Sequence, residues 1–314
     1  MATFRIKRYN PEKRPDAYYE DFEYDFPEGA TLLDCLNHIK WTQDGSLTYR
    51  MSCRSAICGS CGMKGNGHAL LACQRQAAQL LKSGDGVITV EPLGNMPVIK
   101  DLVTDFKEFW EKVDQVKPYL QNKEKAPERE RQQSPEEFRK IDATSTCIMC
   151  GACYSDCNTL EVDKNFLGPA ALAKAQRFVG DSRDHATRER IKELSKPGGM
   201  RDCTHCGECV ERCPKPAEPF YRIKELMEVA LNEGVTNNNG ARHALSFVKS
   251  VKHSGRLNES KIPIESVGYF NIKGLLELVP VGLRMLLKLK IPPIFHKPID
   301  DAKDVKRIFE EFGE

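Results

Sequence analysis

The sequence predicts an α+β chain in which a small strand-rich unit is followed by a mostly helical one and a C-terminal extension. Three observations predict it. Strand-like segments with alternating or β-branched residues fall within the first hundred residues, whereas helical spacing and helix-start signals dominate after about residue 105. Twelve of the thirteen cysteines fall into three blocks whose spacings are those of metal-cluster ligands. The region after residue 233 carries no such block.

Taken in order, Phe4-Arg5-Ile6-Lys7-Arg8-Tyr9 alternates as a half-buried strand does, and residues 18–26 offer an aromatic-rich second strand. Pro27-Glu28-Gly29 makes a turn, after which Leu32, Leu33, Leu36 and Ile39 recur at helical spacing. The first cysteine block follows, and Val87-Ile88-Thr89-Val90 closes the unit as a β-branched strand. Hairpin, helix, cluster loop and closing strand is the order of a plant-type ferredoxin β-grasp, assigned to residues 1–105. Residues 106–233 read as an all-α, bacterial-ferredoxin-like unit. Within it, residues 121–133 are a charged, solvated stretch. Ser134-Pro135-Glu136-Glu137 announces a helix, with an N-cap, an early proline and a glutamate at the capping-box position. Helices are expected over residues 167–179, 185–194 and 220–231. Residues 234–314 form the extension, with an amphipathic helix over residues 244–251. After Pro280 a second helix sets Leu283, Leu286 and Leu287 on one face and Arg284 and Lys288 on another. That second helix reads either as a docking surface for a partner or membrane, or as ordinary packing against its own domain.

The blocks are Cys53-x4-Cys58-x2-Cys61 with Cys73 after eleven intervening residues, Cys147-x2-Cys150-x2-Cys153-x3-Cys157, and Cys203-x2-Cys206-x2-Cys209-x3-Cys213-Pro214. The first is the spacing of a plant-type [2Fe–2S] site. The other two form the pair of runs in a two-cluster ferredoxin, where the fourth cysteine of each run serves the other cluster. Thiolates are soft donors that suit iron–sulfur clusters. Small residues in the gaps, among them Gly59, Gly62, Gly151 and Gly207, let the backbone approach, and amide N–H groups facing the sulfurs tune the potential. Structural zinc is the competing reading, but zinc ribbons use separated pairs, and each run here already holds four tightly spaced cysteines. Cys35 stands outside every block and reads as a small buried hydrophobe.

The formal net charge of +2 over 314 residues, with both signs interleaved, argues against a nucleic-acid partner. No apolar export signal opens the sequence, and the most apolar stretch, residues 274–295, is interrupted by charges and prolines. The expectation is a chain soluble by itself, with thiolates suited to a reducing compartment.

Around Ser52-Cys53-Arg54-Ser55-Ala56-Ile57-Cys58-Gly59-Ser60-Cys61-Gly62, and with both later runs, the sequence resembles the iron–sulfur subunits of succinate dehydrogenases and fumarate reductases over about residues 1–232. The resemblance implies that Cys53, Cys58, Cys61 and Cys73 hold a [2Fe–2S] cluster and Cys147, Cys150, Cys153 and Cys213 a [4Fe–4S] cluster. Cys157, Cys203 and Cys209 hold a third, which is [3Fe–4S] in familiar members, where an apolar residue replaces the fourth ligand. Here Cys206 fills that position, so a second [4Fe–4S] cluster is expected, with [3Fe–4S] as the alternative. Familiar members also follow the fourth cysteine of the middle run with proline and aromatic residues of a quinone pocket, whereas this chain has Asn158-Thr159-Leu160. Both departures belong to a branch whose third subunit is similar to the cysteine-rich subunit of heterodisulfide reductases. The resemblance therefore implies single-electron transfer between an FAD-containing flavoprotein and a membrane-associated quinone-reactive subunit, which in this branch is heterodisulfide-reductase-like. It also implies attachment to the cytoplasmic membrane, at its cytoplasmic face, through those partners. The chain has no strand-embedded G-x-G-x-x-G and no catalytic site of its own. Two alternatives stand beside this: the iron–sulfur subunit of a glycolate-oxidase or heterodisulfide-reductase complex, to which residues 240–259 are similar, and a stand-alone multi-cluster ferredoxin.

Overall fold

In the computed structural model, which describes residues 1–293 and 297–312, the N-terminal alternation becomes strand β1 (Ala2–Asn10), with Phe4 and Ile6 fully buried and Arg5 outward. β2 (Arg14–Tyr24) pairs with it antiparallel, Phe4 opposite Phe22. Helix α1 (Leu32–Thr42) begins at a capping box between Thr31 and Asp34 and buries Leu32, Leu33, Leu36, Ile39 and Cys35. Two short strands, β3 (Gly62–Gly65) and β4 (His68–Leu71), then form a hairpin where the sequence suggests only the cysteine loop. Its turn, Asn66-Gly67, has φ of 51° and 82°, as a two-residue primed turn requires. After α2 (Ala77–Ser83), β5 (Val87–Glu91) enters the sheet parallel to β1, giving the order β2-β1-β5-β3-β4. The small hairpin of β6 (Val98–Lys100) and β7 (Val103–Thr104) follows, then α3 (Lys107–Gln115). Buried Arg8 ties the sheet to its loops through Asp101, Asp44, Ser46 and Glu20.

Residues 116–134 contain no helix or strand. Their start is nevertheless fastened: the buried Arg190 guanidinium donates to the carbonyls of Val116, Lys117 and Tyr119, and its partner Asp184 accepts from the Gln121 N–H. Helix α4 (Pro135–Ser145) starts at the expected capping box of Ser134 and Glu137. Two very short helices, α5 (Ala152–Ser155) and α6 (Asn158–Val162), flank the end of the second cysteine run. Next, α7 (Pro169–Val179) buries almost its whole length, its alanines admitting α3, α4, α5 and α8 (Thr187–Leu194) at close range. A one-turn helix, α9 (Glu208–Glu211), sits in the third run, and α10 (Pro219–Asn232) follows.

The chain divides into two compact units, Met1–Leu226 and Met227–Glu314, so the sheet and the cysteine-bearing helices belong to one body. The second unit comprises α11 (Asn239–Ser254), α12 (Ile262–Val267), α13 (Ile272–Leu287) and α14 (Ala302–Glu311). In it α11 packs on α12 and α14, and α13 on α12. The expected helix over residues 244–251 is the middle of α11. The helix expected after Pro280 begins eight residues earlier, with Pro280 inside it. The apolar stretch of residues 274–295 runs past this helix, and its last two residues, Ile294 and Phe295, lie outside the described residues. Among the described residues no helix is long and apolar enough to cross a membrane.

Candidate metal centres

The first block is set by the β3–β4 hairpin. Cys61 immediately precedes β3 and Cys73 follows β4, so the eleven-residue gap is the length of the hairpin and its flanks, and pairing of Gly62 with Leu71 returns the two cysteines to each other. The Cys73 N–H donates to Cys61 Sγ at 3.5 Å. Upstream, Arg54 and Ala56 adopt positive φ (57° and 55°), which turns successive N–H groups inward as an anion nest does. Those of Ser55, Ile57 and Cys58 converge on Cys53 Sγ at 3.4, 3.4 and 3.3 Å, and that of Ala56 reaches Cys73 Sγ at 3.3 Å. The amide donors, Ser55 first, bring the Cys53 thiol down to about 6. The Ser60 hydroxyl is the main cause lowering Cys58, while burial pushes Cys61 up to about 12. Preorganised N–H groups aimed at sulfur fit a centre that holds anionic thiolates and takes on further negative charge.

The second and third runs repeat one backbone. Met149 and His205 take positive φ (55° and 59°), a glycine follows each second cysteine, and a short helix then carries the third, Cys153 on α5 and Cys209 on α9. Cys157 is the N-cap of α6, and Cys213 stands before Pro214. The thiols sort crosswise. Cys150 has Cys147 and Cys213 as charge neighbours, and Cys153 has these three and Cys209. Cys209 has Cys203, Cys157 and Cys206, and Cys203 has Cys157 and Cys206. Cys147, Cys150, Cys153 and Cys213 together line one small apolar cavity walled by Ala170 and Ala173. Among the described residues no three Cys, His, Asp or Glu side chains close around one point as donors to a single bare ion. Burial raises Cys150 to about 11, Cys209 to about 12, and Cys153 well above its usual range. Such thiols ionise when a metal binds, because coordination removes the proton outright. Cys206, by contrast, lies at the surface. Cys35 is fully buried and raised to about 12, by burial first.

The first and second blocks touch at the level of backbone. A Cβ placed on Gly59 would lie 2.8 Å from Cys150 Cβ, and one on Gly62 would lie 3.0 Å from the Cys150 carbonyl oxygen. A polar latch holds this contact. Asn95 Nδ2 donates to the carbonyls of Tyr154, Ser155 and Cys157 at 3.0–3.1 Å, and the Gly94 N–H donates to Ser155 Oγ at 2.8 Å. The Asp156 carboxylate accepts from the Ala69 N–H at 2.8 Å and pairs with Lys64 and Arg212, next to Cys213. Asp156, Ser155 and Asn95 escaped the sequence reading. The first two lie, with Tyr154, in the three-residue gap before Cys157, where spacing alone attracts attention to cysteine.

Two family descriptions match this chain: a 2Fe-2S iron-sulfur cluster binding domain over residues 3–111 and a 4Fe-4S dicluster domain over residues 143–217. The succinate dehydrogenase iron-sulfur subunit of Coxiella burnetii is 38% identical over 235 residues, covering 74% of this chain and 97% of its own. The 8-methylmenaquinol:fumarate reductase iron-sulfur subunit of Wolinella succinogenes is 36% identical over 270 residues, 84% of each chain. That is more than the first compact unit can supply, so this likeness extends into the second. Among solved structures, a chain of the Mycobacterium smegmatis Sdh1 complex superimposes with a TM-score of 0.62 at 26% identity, covering 74% of this chain and 96% of that one.

Proposed function

The chain belongs to the family of succinate dehydrogenase and fumarate reductase iron–sulfur subunits, and on that premise we propose a ligand set and a route for its electrons. The chain is an electron-transfer subunit and carries no catalytic site of its own. Cys53, Cys58, Cys61 and Cys73 would hold the [2Fe–2S] cluster. Cys147, Cys150, Cys153 and Cys213 would hold one [4Fe–4S] cluster, and Cys157, Cys203, Cys206 and Cys209 the second. When bound, each cluster supplies one-electron redox chemistry. The observation that carries this reading is that Cys213 of the third run lines one small apolar cavity with Cys147, Cys150 and Cys153 of the second, with Gly59 laid against Cys150. Around these sets the chain's own residues do specific work. The N–H groups of residues 55–58 hold negative sulfur, Asn95 and Asp156 fix the sheet lobe to the second run, and the alanines of α7 exclude water.

The division into residues 1–105, a plant-type ferredoxin β-grasp, residues 106–233, a two-cluster ferredoxin unit, and residues 234–314, a docking extension, is part of this proposal. So are the partners: an FAD-containing flavoprotein at the first block and a membrane-associated, heterodisulfide-reductase-like quinone-reactive subunit beyond the third. These would hold the chain at the cytoplasmic face of the membrane. Surface exposure of Cys206 supports a protein acceptor there.

Anaerobically purified chain should contain about ten irons, from one two-iron and two four-iron centres. It should be inert to succinate alone and lose visible absorbance with succinate only once the flavoprotein is added. Zinc in place of iron and sulfide, or succinate turnover by the isolated chain, overturns the proposal.

A further inference from the structure

Helix α13 has no buried residue although most of its side chains are apolar. Leu275 and Leu278 are half-buried, and the helix packs on α12, but Ile272, Leu276, Val279, Leu283, Leu286 and Leu287 are all exposed. Successive positions in that outward set are three or four residues apart, apart from the adjacent Leu286 and Leu287, so they form one face. Lys273, Glu277, Arg284 and Lys288 fall together in a stripe about 60° wide at about 100° per residue, beside that face and not within it. Phe270, 99% exposed, precedes the helix, and Leu289, 93% exposed, follows it.

We propose that α13 is a membrane-surface anchor: it lies in the headgroup layer with its aliphatic face among acyl chains and its basic stripe against anionic lipid. This goes beyond attachment through partner subunits, because here the chain itself meets the lipid. The helix cannot span: sixteen residues rise about 24 Å against a hydrocarbon core of about 30 Å, and Pro280 and the charged stripe interrupt it. An interfacial helix needs what is present, a broad aliphatic face with lysine and arginine at its border. Charge decides the occupant. Arg284, Lys288 and Lys273 outnumber Glu277, and Lys290 follows, which complements an anionic bilayer surface. Composition agrees, since protein-docking hot spots favour tryptophan, tyrosine and arginine over leucine and valine, and this face is leucine, isoleucine and valine.

The test uses the full-length, cluster-loaded chain, purified without partners and sedimented with vesicles of phosphatidylcholine containing one quarter phosphatidylglycerol, or of phosphatidylcholine alone. The wild type should pellet with the mixed vesicles and be weakened by high salt. Leu276→Glu with Leu283→Glu should lower partitioning by at least about tenfold, since each removes an inserted apolar side chain. Arg284→Glu with Lys288→Glu should weaken binding to the mixed vesicles by about fivefold or more and leave binding to phosphatidylcholine alone unchanged. All four positions are exposed, so visible cluster absorption should be unaltered in both variants. Wild type that stays in the supernatant, or variants that bind as it does, would overturn the proposal. Failure to bind vesicles together with loss of a subunit complex in the leucine variant would overturn it too, by making the face a protein-docking surface.

Discussion

Replacing Cys206 with valine should convert the third cluster from a four-iron to a three-iron form. The wild-type cluster is expected to be diamagnetic when oxidised and paramagnetic when reduced, whereas the variant should show a stoichiometric signal in the oxidised state. The reason is donor count. Cys206 is a charge neighbour of Cys157, Cys203 and Cys209, and valine leaves those three as the thiols of the set. Because Cys206 is exposed, the substitution removes a donor without opening the core. Iron should fall from about ten to about nine per chain, and the potential should rise, since cluster type and net charge both set it. Cys35→Val is the control: Cys35 is buried in α1, and its loss should leave iron unchanged. EPR on air-free, as-isolated protein decides the matter. A three-iron signal already present in oxidised wild type and unchanged in Cys206→Val would make Cys206 a bystander.

Much of the centre was legible because its signals are local. The spacing within each run is a property of a few consecutive residues, and so is the capping box of Ser134 and Glu137 that starts α4. Strand β1 announced itself because one face of it is buried and the other is not. Other elements are too short for periodicity to register. Helices α5 and α9 have four residues each, and β3 and β4 four each. The hairpin did carry a signal in Asn66-Gly67, but it lies inside a segment dominated by cysteine spacing. Pro280 misled for a physical reason: proline is favoured at a helix start, yet here it is tolerated mid-helix on an exposed surface.

What sequence reasoning could not supply is that the first block rests on the second. By sequence, the small residues in the first loop let the backbone approach a cluster. The structure gives Gly59 and Gly62 a second duty, since both abut Cys150, about ninety residues away. The latch of Asn95, Ser155 and Asp156 is equally non-local, and nothing in one isolated sequence pairs those residues. This long-range contact is what brings the first and second blocks together.

Gly59→Ala should therefore be among the most damaging substitutions outside the cysteines. Gly59 has φ of +74°, and an added Cβ would meet Cys150 Cβ at 2.8 Å, its Cα at 3.0 Å and the Ile148 carbonyl oxygen at 3.2 Å. The left-handed backbone costs an alanine about 1–2 kcal/mol, and forcing an extra carbon into a packed contact adds about 1–3 kcal/mol. Gly67→Ala separates the two effects, because Gly67 has φ of +82° with nothing within 4 Å of an added Cβ. Chemical unfolding of the cluster-loaded chain should show a loss of about 1–2 kcal/mol for Gly67→Ala and about 2–5 kcal/mol for Gly59→Ala. Iron should be lost from the first block in Gly59→Ala alone, because moving residue 59 away from Cys150 displaces Cys58 and Cys61 on either side of it. Equal destabilisation by the two alanines, with iron retained in both, would mean that the first and second blocks do not rest on each other at Gly59.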